Sequence, residues 1–248
     1  RGTIESENTL SDYTEVEHLY KRSIYTTILF AEYNGRKLNI FDTPGSDDFC
    51  GGLFSAFKVA DVGVMLLNAQ NGFEVGTEIQ ARYARKHEKP IIAVINQLDS
   101  EKASWENTLE SLRAASQVKP VIVQYPVNPG PNFDAFIDVL LMKMYKFKGD
   151  TGIREELEIP ESEMERAREL NQILTEAAAE TDESLMELYF DKGVLTQDEM
   201  RKGLKFGLAK RDLIPVFCAS GKRDIGAKRL MEFIINVAPG PLEAPAFK

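Results

Sequence analysis

Cysteine and histidine are scarce, with two of each in 248 residues. Neither Cys50 nor Cys218 stands in a zinc-type spacing with another cysteine or histidine, and two thiols cannot build a disulfide framework, so both read as packing residues. Long apolar runs are absent too. Nothing approaches the roughly 18 to 20 residues that cross a bilayer, and the opening RGTIESENTL has neither the basic cluster nor the apolar segment of a signal peptide. These absences exclude a membrane role and point to a cytoplasmic chain. Positive charge is in short supply, with 30 Lys and Arg against 39 Asp and Glu and a net charge of -9. A general nucleic-acid clamp needs clustered cations to release counterions, so that class is excluded while local contacts with RNA stay open. What is present, 43% apolar and 28% charged residues, describes an ordinary folded chain with room for one or two domains.

Thr26 to Tyr33 and Lys37 to Phe41 read as strands joined by Asn34-Gly35, a dipeptide suited to the positive φ values of a tight hairpin. Val62 to Leu67 and Ile91 to Ile95 are continuous apolar runs, the pattern of strands covered on both faces of a mostly parallel sheet. Thr77 to Lys86 and Trp105 to Ala114 carry helical periodicity, the second behind a Ser104 cap, with Trp105 read as a packing residue. A further buried strand, Ile214 to Cys218, comes about a hundred residues later and precedes another helix. This alternation predicts an α/β fold with a doubly wound, mostly parallel sheet and an inserted α+β subdomain. The expected division gives residues 1–116 and 213–248 to the core and 117–212 to the insertion. Within the insertion, Val121 to Tyr125 and Ala135 to Tyr145 read as extended, and Ser162 to Phe190 and Thr196 to Ala209 as helical. Ser162-x-x-Glu165 and Thr196-x-x-Glu199 have capping-box spacing.

Ligands of an open α/β sheet bind beyond the carboxyl ends of its strands, which singles out three places. After Ile40-Phe41 comes Asp42-Thr43-Pro44-Gly45, where Asp42 suits a magnesium ion held through water and Gly45 brings an amide to a terminal phosphate. After Val94-Ile95 comes Asn96-Gln97-Leu98-Asp99. Here Asp99 can accept two parallel N–H bonds from guanine, and Asn96 can tie neighbouring loops together. After Phe217-Cys218 comes Ala219-Ser220-Gly221, whose amides can read a guanine carbonyl. Taken singly, DTPG is also a turn and N-x-x-D also a helix cap. Three such signals in order at successive strand ends point to a guanine-nucleotide site.

These residues resemble the guanine-nucleotide domain of elongation factor G, as a divergent paralogue, over essentially the whole chain. YKRSIYTTIL sits where that family has its first switch, DTPGSDDF resembles its DTPGHVDF, and VINQLD resembles its VNKMD. CASGKRDIG resembles its CGSAFKNKG, and APGPLEAPA its LPSPLDVPA. The long interval between Asp99 and Ser220 resembles the subdomain that elongation factor G inserts. The resemblance implies GTP or GDP with Mg²⁺ as cofactors, action on the ribosome in translocation or rescue, contacts with ribosomal RNA, and a stalk-protein partner for the insertion. Tyr13 to Thr26 and Ser46 to Gly52 would be its mobile switches.

The sequence departs from that family at four places. No G-x-x-x-x-G-K-[ST] occurs in these 248 residues, so the chain reads as one that starts after the first strand and phosphate loop, with very weak nucleotide binding or none. The edge so left open would be a route to a homodimer. Ser46 stands at the histidine that orients the attacking water, which puts hydrolysis in doubt. Tyr25 stands at the magnesium-binding threonine, with Thr26 and Thr27 beside it as substitutes, and Gln97 replaces the lysine that covers guanine. Three functions therefore remain open: a GTPase, a non-hydrolysing ribosome-binding factor switched by nucleotide, and an interaction domain without nucleotide.

Overall fold

In the computed structural model, which describes residues 2, 3 and 5–243, Asn34 (φ 48°) and Gly35 (φ 71°) both take the left-handed conformation. That geometry matches the twist of the flanking strands. Strands β1 (Thr27–Tyr33) and β2 (Arg36–Asp42) accordingly form an antiparallel pair running from Tyr33 opposite Arg36 at the turn to Thr27 opposite Asp42 at the open end. The last three residues of APGPLEAPA lie outside the described residues.

A separate four-stranded sheet has the order β3-β4-β10-β5, built from β3 (Gly63–Asn68), β4 (Ile91–Asn96), β5 (Lys119–Ile122) and β10 (Leu213–Cys218). Every pairing in it is parallel. Parallel neighbours need crossovers, which α3 (Val75–Lys86) and α4 (Trp105–Ala115) supply between β3, β4 and β5. Ser104 caps α4 by accepting from the Asn107 amide, and the Trp105 ring is buried. Strand β10 is buried along its whole length, and β4 from Ile92 to Ile95. Each fully buried Ile, Val or Phe contributes about 1.5 to 3 kcal/mol, so these two strands anchor the core.

The apolar run Val62 to Leu67 misleads in one respect. Met65 and Leu67 are buried, but Val64 and Leu66 on the other face are 40% and 60% exposed. The cause is position: β3 is the edge strand, and nothing among the described residues covers that face. Strand β5, inside the interval 117–212, pairs with β10 as a member of the parallel sheet.

Beyond it lies an antiparallel sheet of order β6-β7-β8-β9: β6 (Gln124–Pro126), β7 (Ala135–Asp138), β8 (Lys143–Phe147) and β9 (Arg154–Leu157). Three helices follow, α5 (Glu161–Ala179), α6 (Glu183–Lys192) and α7 (Gln197–Lys210). The Thr196 capping box forms as its spacing predicts, with side chain and backbone bonded reciprocally to Glu199. The Ser162 box does not form. Helix α5 starts earlier, behind Pro160 and without a side-chain cap, so Ser162 already lies within its first turn. The stretch Ser162 to Phe190 is also two helices, because Asp182 accepts from the Leu185 amide and opens α6. Gly203 lets α7 approach α5 closely: a Cβ there would lie 2.3 Å from the Ala178 carbonyl oxygen.

The final helix, α8 (Ala227–Val237), joins the two halves, as the Arg229 guanidinium bonds Asp138 of β7 at 2.7 Å with both side chains almost excluded from water. Two helices escaped the sequence reading. Helix α1 (Glu15–Tyr20) lies within Tyr13 to Thr26, and α2 (Cys50–Val59) follows a 3₁₀ turn at Asp47–Phe49, so both expected switches contain regular structure. No helix among the described residues is long and apolar enough to cross a membrane.

Candidate guanine-nucleotide site

Parallel pairing carries the ends of β4 and β10 to one edge of the sheet, with Cys218 opposite Ile95. The chain then leaves each strand under close constraint. The Ala219 amide still donates to the Ile95 carbonyl at 2.9 Å, and the Leu98 amide to the Ala219 carbonyl at 3.3 Å. The Asn96 side-chain oxygen accepts the Gly221 amide at 2.9 Å. Asn96 thus holds the two loops together, the tie that its position after β4 predicts.

Ser220 is buried, bridged to Ile225 by a reciprocal pair of backbone bonds, and its hydroxyl accepts the Arg223 amide. It shapes the turn that presents Gly221. Gln97 has φ 62°, and its amide oxygen accepts from Gln70 at 3.4 Å. Asp99 is half-buried, and its carboxylate makes no hydrogen bond or ion pair among the described residues. A rigid loop offering an unpaired carboxylate is an acceptor ready for a pair of N–H donors. Gly130, in the loop Asn128 to Pro131, donates its amide to the Leu98 carbonyl at 2.7 Å, so a segment of the interval 117–212 buttresses this loop.

Gln70 belongs to a fourth strand end that the sequence reading passed over. Asn68-Ala69-Gln70 follows β3, Asn68 lies opposite Asn96, and its side chain accepts the Gln70 amide at 2.9 Å. The rule that selected the other three ends applies equally to this one.

Asp42 and Gly45 sit at the open end of the hairpin. Asp42 is half-buried with no side-chain partner among the described residues, and Gly45 is exposed. Their loop leans on the first turn of α3: a Cβ on Gly76 would lie 3.0 Å from the Asp47 carboxylate and 3.3 Å from the Gly45 carbonyl. That placement sets an anion beside a helix N-terminus, where the helix dipole favours it. Ser46 precedes the 3₁₀ turn and accepts the Phe49 amide through its backbone carbonyl.

The Thr26 hydroxyl is buried, has no hydrogen-bond partner, and packs against Gly52 of α2. It neighbours Thr27, the residue opposite Asp42. A hydroxyl and a carboxylate are both hard oxygen donors of the kind magnesium takes, one or two from the protein with water and phosphate completing its shell. No group of three or more His, Cys, Asp or Glu is placed to hold a metal among the described residues.

Residues 1–240 match the family described as the elongation factor Tu GTP binding domain. The chain belongs to that family. This GTP-binding domain is 32% identical over 237 residues to an elongation factor G-like protein of Thermotoga maritima, a match covering 96% of the chain and 34% of that relative. It also superposes on a crystal structure of a Thermus thermophilus protein with a TM-score of 0.91 and 31% identity, covering 98% of this chain and 36% of the other. The resemblance to elongation factor G thus holds, and with it the mixed α/β fold of a translational GTPase G domain. The domain spans about a third of the length of the relatives it matches.

Proposed function

We propose that this domain is the guanine-nucleotide-reading part of a cytoplasmic translational GTPase that works on the ribosome, in translocation or rescue. The observation that carries the proposal is the bond from the Gly221 amide to Asn96, which brings two strand ends into one site beside the unpaired Asp99 carboxylate. Asp99 would accept the two N–H groups of guanine, the Gly221 turn would meet the guanine carbonyl, and Gln97 would lie across the base in place of a lysine stem. Asp42 and Thr26 would hold magnesium, and Gly45 would offer its amide to the terminal phosphate. When bound, magnesium supplies charge neutralisation between phosphates. The loop from Gly45, propped on α3, would then shift when that phosphate leaves.

Residues 1–116 and 213–248 would form the core, joined by β5 from the start of the interval 117–212, whose remainder would be the inserted subdomain that meets the stalk protein, while both switches face ribosomal RNA. The uncovered face and edge of β3 would serve a homodimer when nothing else pairs with them.

Ser46 favours a second reading, a factor that binds nucleotide as a switch without hydrolysing it. Its hydroxyl is too short to reach and orient a water as an imidazole does. Single-turnover GTP hydrolysis by the full gene product, with ribosomes and beside a Ser46→His variant, separates the two. Ribosome-stimulated hydrolysis by the parent establishes the enzyme. Binding without turnover, restored in the variant, establishes the switch, and the absence of any GTP or GDP binding by the full product refutes both.

A further inference from the structure

A polar link to the hairpin and two to the antiparallel sheet meet on one helix. On α8, Arg229 bonds Asp138, and one turn later Glu232 faces two donors from different parts of the chain. Its Oε1 accepts the Tyr33 hydroxyl of β1 at 2.7 Å and the Arg154 guanidinium of β9 at 2.9 Å. Its Oε2 lies 4.0 Å from Arg229. The ion pair is less than one-fifth exposed on either side, so solvent screens it weakly. The two donors are fixed independently. Arg154 lies over the Tyr145 ring of β8 at 4.6 Å, which seats it on the antiparallel sheet, while Lys228 lies 5.9 Å over the Tyr33 ring.

Tyr33 ends β1 at the turn, opposite Arg36, whereas Asp42 ends β2 at the other extremity, opposite Thr27. The hairpin is thereby pinned to α8 at one end and carries a candidate site residue at the other. Bonds sharing one half-buried acceptor are not independent: moving one donor changes the charge and orientation that the other meets. The hydrogen bond to Glu232, with burial added, also raises the Tyr33 phenol above its usual range, which keeps it a donor.

We infer that Glu232 is a positioning residue that couples the Asp42-bearing hairpin to the antiparallel sheet through a carboxylate oxygen shared by Tyr33 and Arg154. The coupling stands on geometry alone; its use, reporting the occupancy of the site to the insertion, rests on the function proposed above. A shift of the hairpin releases Oε1 toward Arg154 and Arg229. A shift of β9 does the reverse to Tyr33.

The test is amide hydrogen exchange on the whole 248-residue chain without nucleotide, comparing the parent with Tyr33→Phe and Arg154→Gln. Each substitution removes one donor while keeping most of the side chain, and unchanged thermal melting confirms an intact fold. Tyr33→Phe is expected to speed exchange about threefold in β8 and β9 as well as in the hairpin, and Arg154→Gln to do so in β1 and β2. The double variant should change less than the product of the singles, and Glu232→Gln should loosen both elements. If each single substitution affects only its own element, or the double equals the product, the coupling is refuted. Because no nucleotide is used, a full gene product that fails to bind GTP overturns the proposed function and leaves this result untouched.

Discussion

Replacing Asp138 by asparagine should destabilise the protein more than almost any other change of equal size. Asp138 is fully buried and accepts three donors: Arg229 Nε at 2.7 Å, Gln124 Nε2 at 3.3 Å and the Leu141 amide at 2.9 Å. Asparagine fills the same volume but withdraws the charge and turns an NH₂ toward one of these donors. Arg229, 5% exposed, then keeps Glu232 as its nearest carboxylate, at 4.0 Å. Stranding one member of a buried ion pair costs about 3 to 5 kcal/mol, and the remaining attraction to Glu232 places this case near 3. For a chain of this length that corresponds to a fall in Tm of about 6 to 12 °C. Urea and thermal unfolding followed by circular dichroism measure it directly. The companion Asp138→Leu with Arg229→Met removes both charges, which offsets the stranded ion, but it leaves the Gln124 side-chain amide and the Leu141 N–H without their acceptor at about 1 to 3 kcal/mol each, so it should recover little of the loss. An Asp138→Asn protein within about 1 kcal/mol of the parent would show that the pair is solvated or dispensable. The same helix follows the turn holding Ser220 and Gly221, so the variant should also loosen that turn.

Gly203→Ala should lower stability by about 1 to 2 kcal/mol, because a Cβ 2.3 Å from the Ala178 carbonyl forces α5 and α7 apart and outweighs the roughly 1 kcal/mol that alanine adds to helix propensity; urea midpoints decide this, and a more stable variant refutes the close approach. Burial pushes the Glu17 carboxyl up, yet the Ile24 and Tyr25 amides and the Thr14 hydroxyl and amide together leave it below its ordinary 4.5. Its contribution is therefore present above that ordinary value and lost as pH falls through the lower folded one. Amide shifts of Ile24 and Tyr25 followed by NMR should titrate with a midpoint below 4.5, and a midpoint above it contradicts the bonding seen at 3.1 Å to each amide. Isothermal titration of the 248-residue chain with GDP and Mg²⁺ should show no dissociation constant tighter than about 100 μM, about 5.5 kcal/mol of binding, since no phosphate-loop sequence is present to wrap the phosphates. Micromolar binding there would refute that assignment of affinity.

The parts legible in the sequence are those where a local rule and the tertiary context agree. Asn34-Gly35 fixed a hairpin by torsion alone, Ser104 and Thr196 satisfied helix amides within their own turns, and the runs ending at Asn96 and Cys218 led to residues that meet in space. Ser162 failed because the helix already begins at Glu161, behind Pro160 as its N-cap, which puts Ser162 inside the first turn, and a spacing rule does not register that. Thr14-x-x-Glu17 was the opposite case: a complete capping box that opens α1 and went unread because the helix behind it is only six residues long. Val64 and Leu66 look like core from composition, and only the strand order reveals that β3 is an edge. The Glu232 junction was invisible for a different reason. Its three partners, Tyr33, Arg154 and Arg229, include two that lie 199 and 78 residues away along the chain, and no periodicity links them.

Gln97 sits with φ 62°, a torsion that unbranched side chains accept at modest cost and that valine, isoleucine or threonine resist because a second substituent on Cβ collides with the backbone. The residue that would lie over a bound base is thereby free to vary in charge and length but not in shape at its root. Exchanging Gln97 for lysine or asparagine would therefore alter the tip of the side chain and leave the contour of the loop as it is.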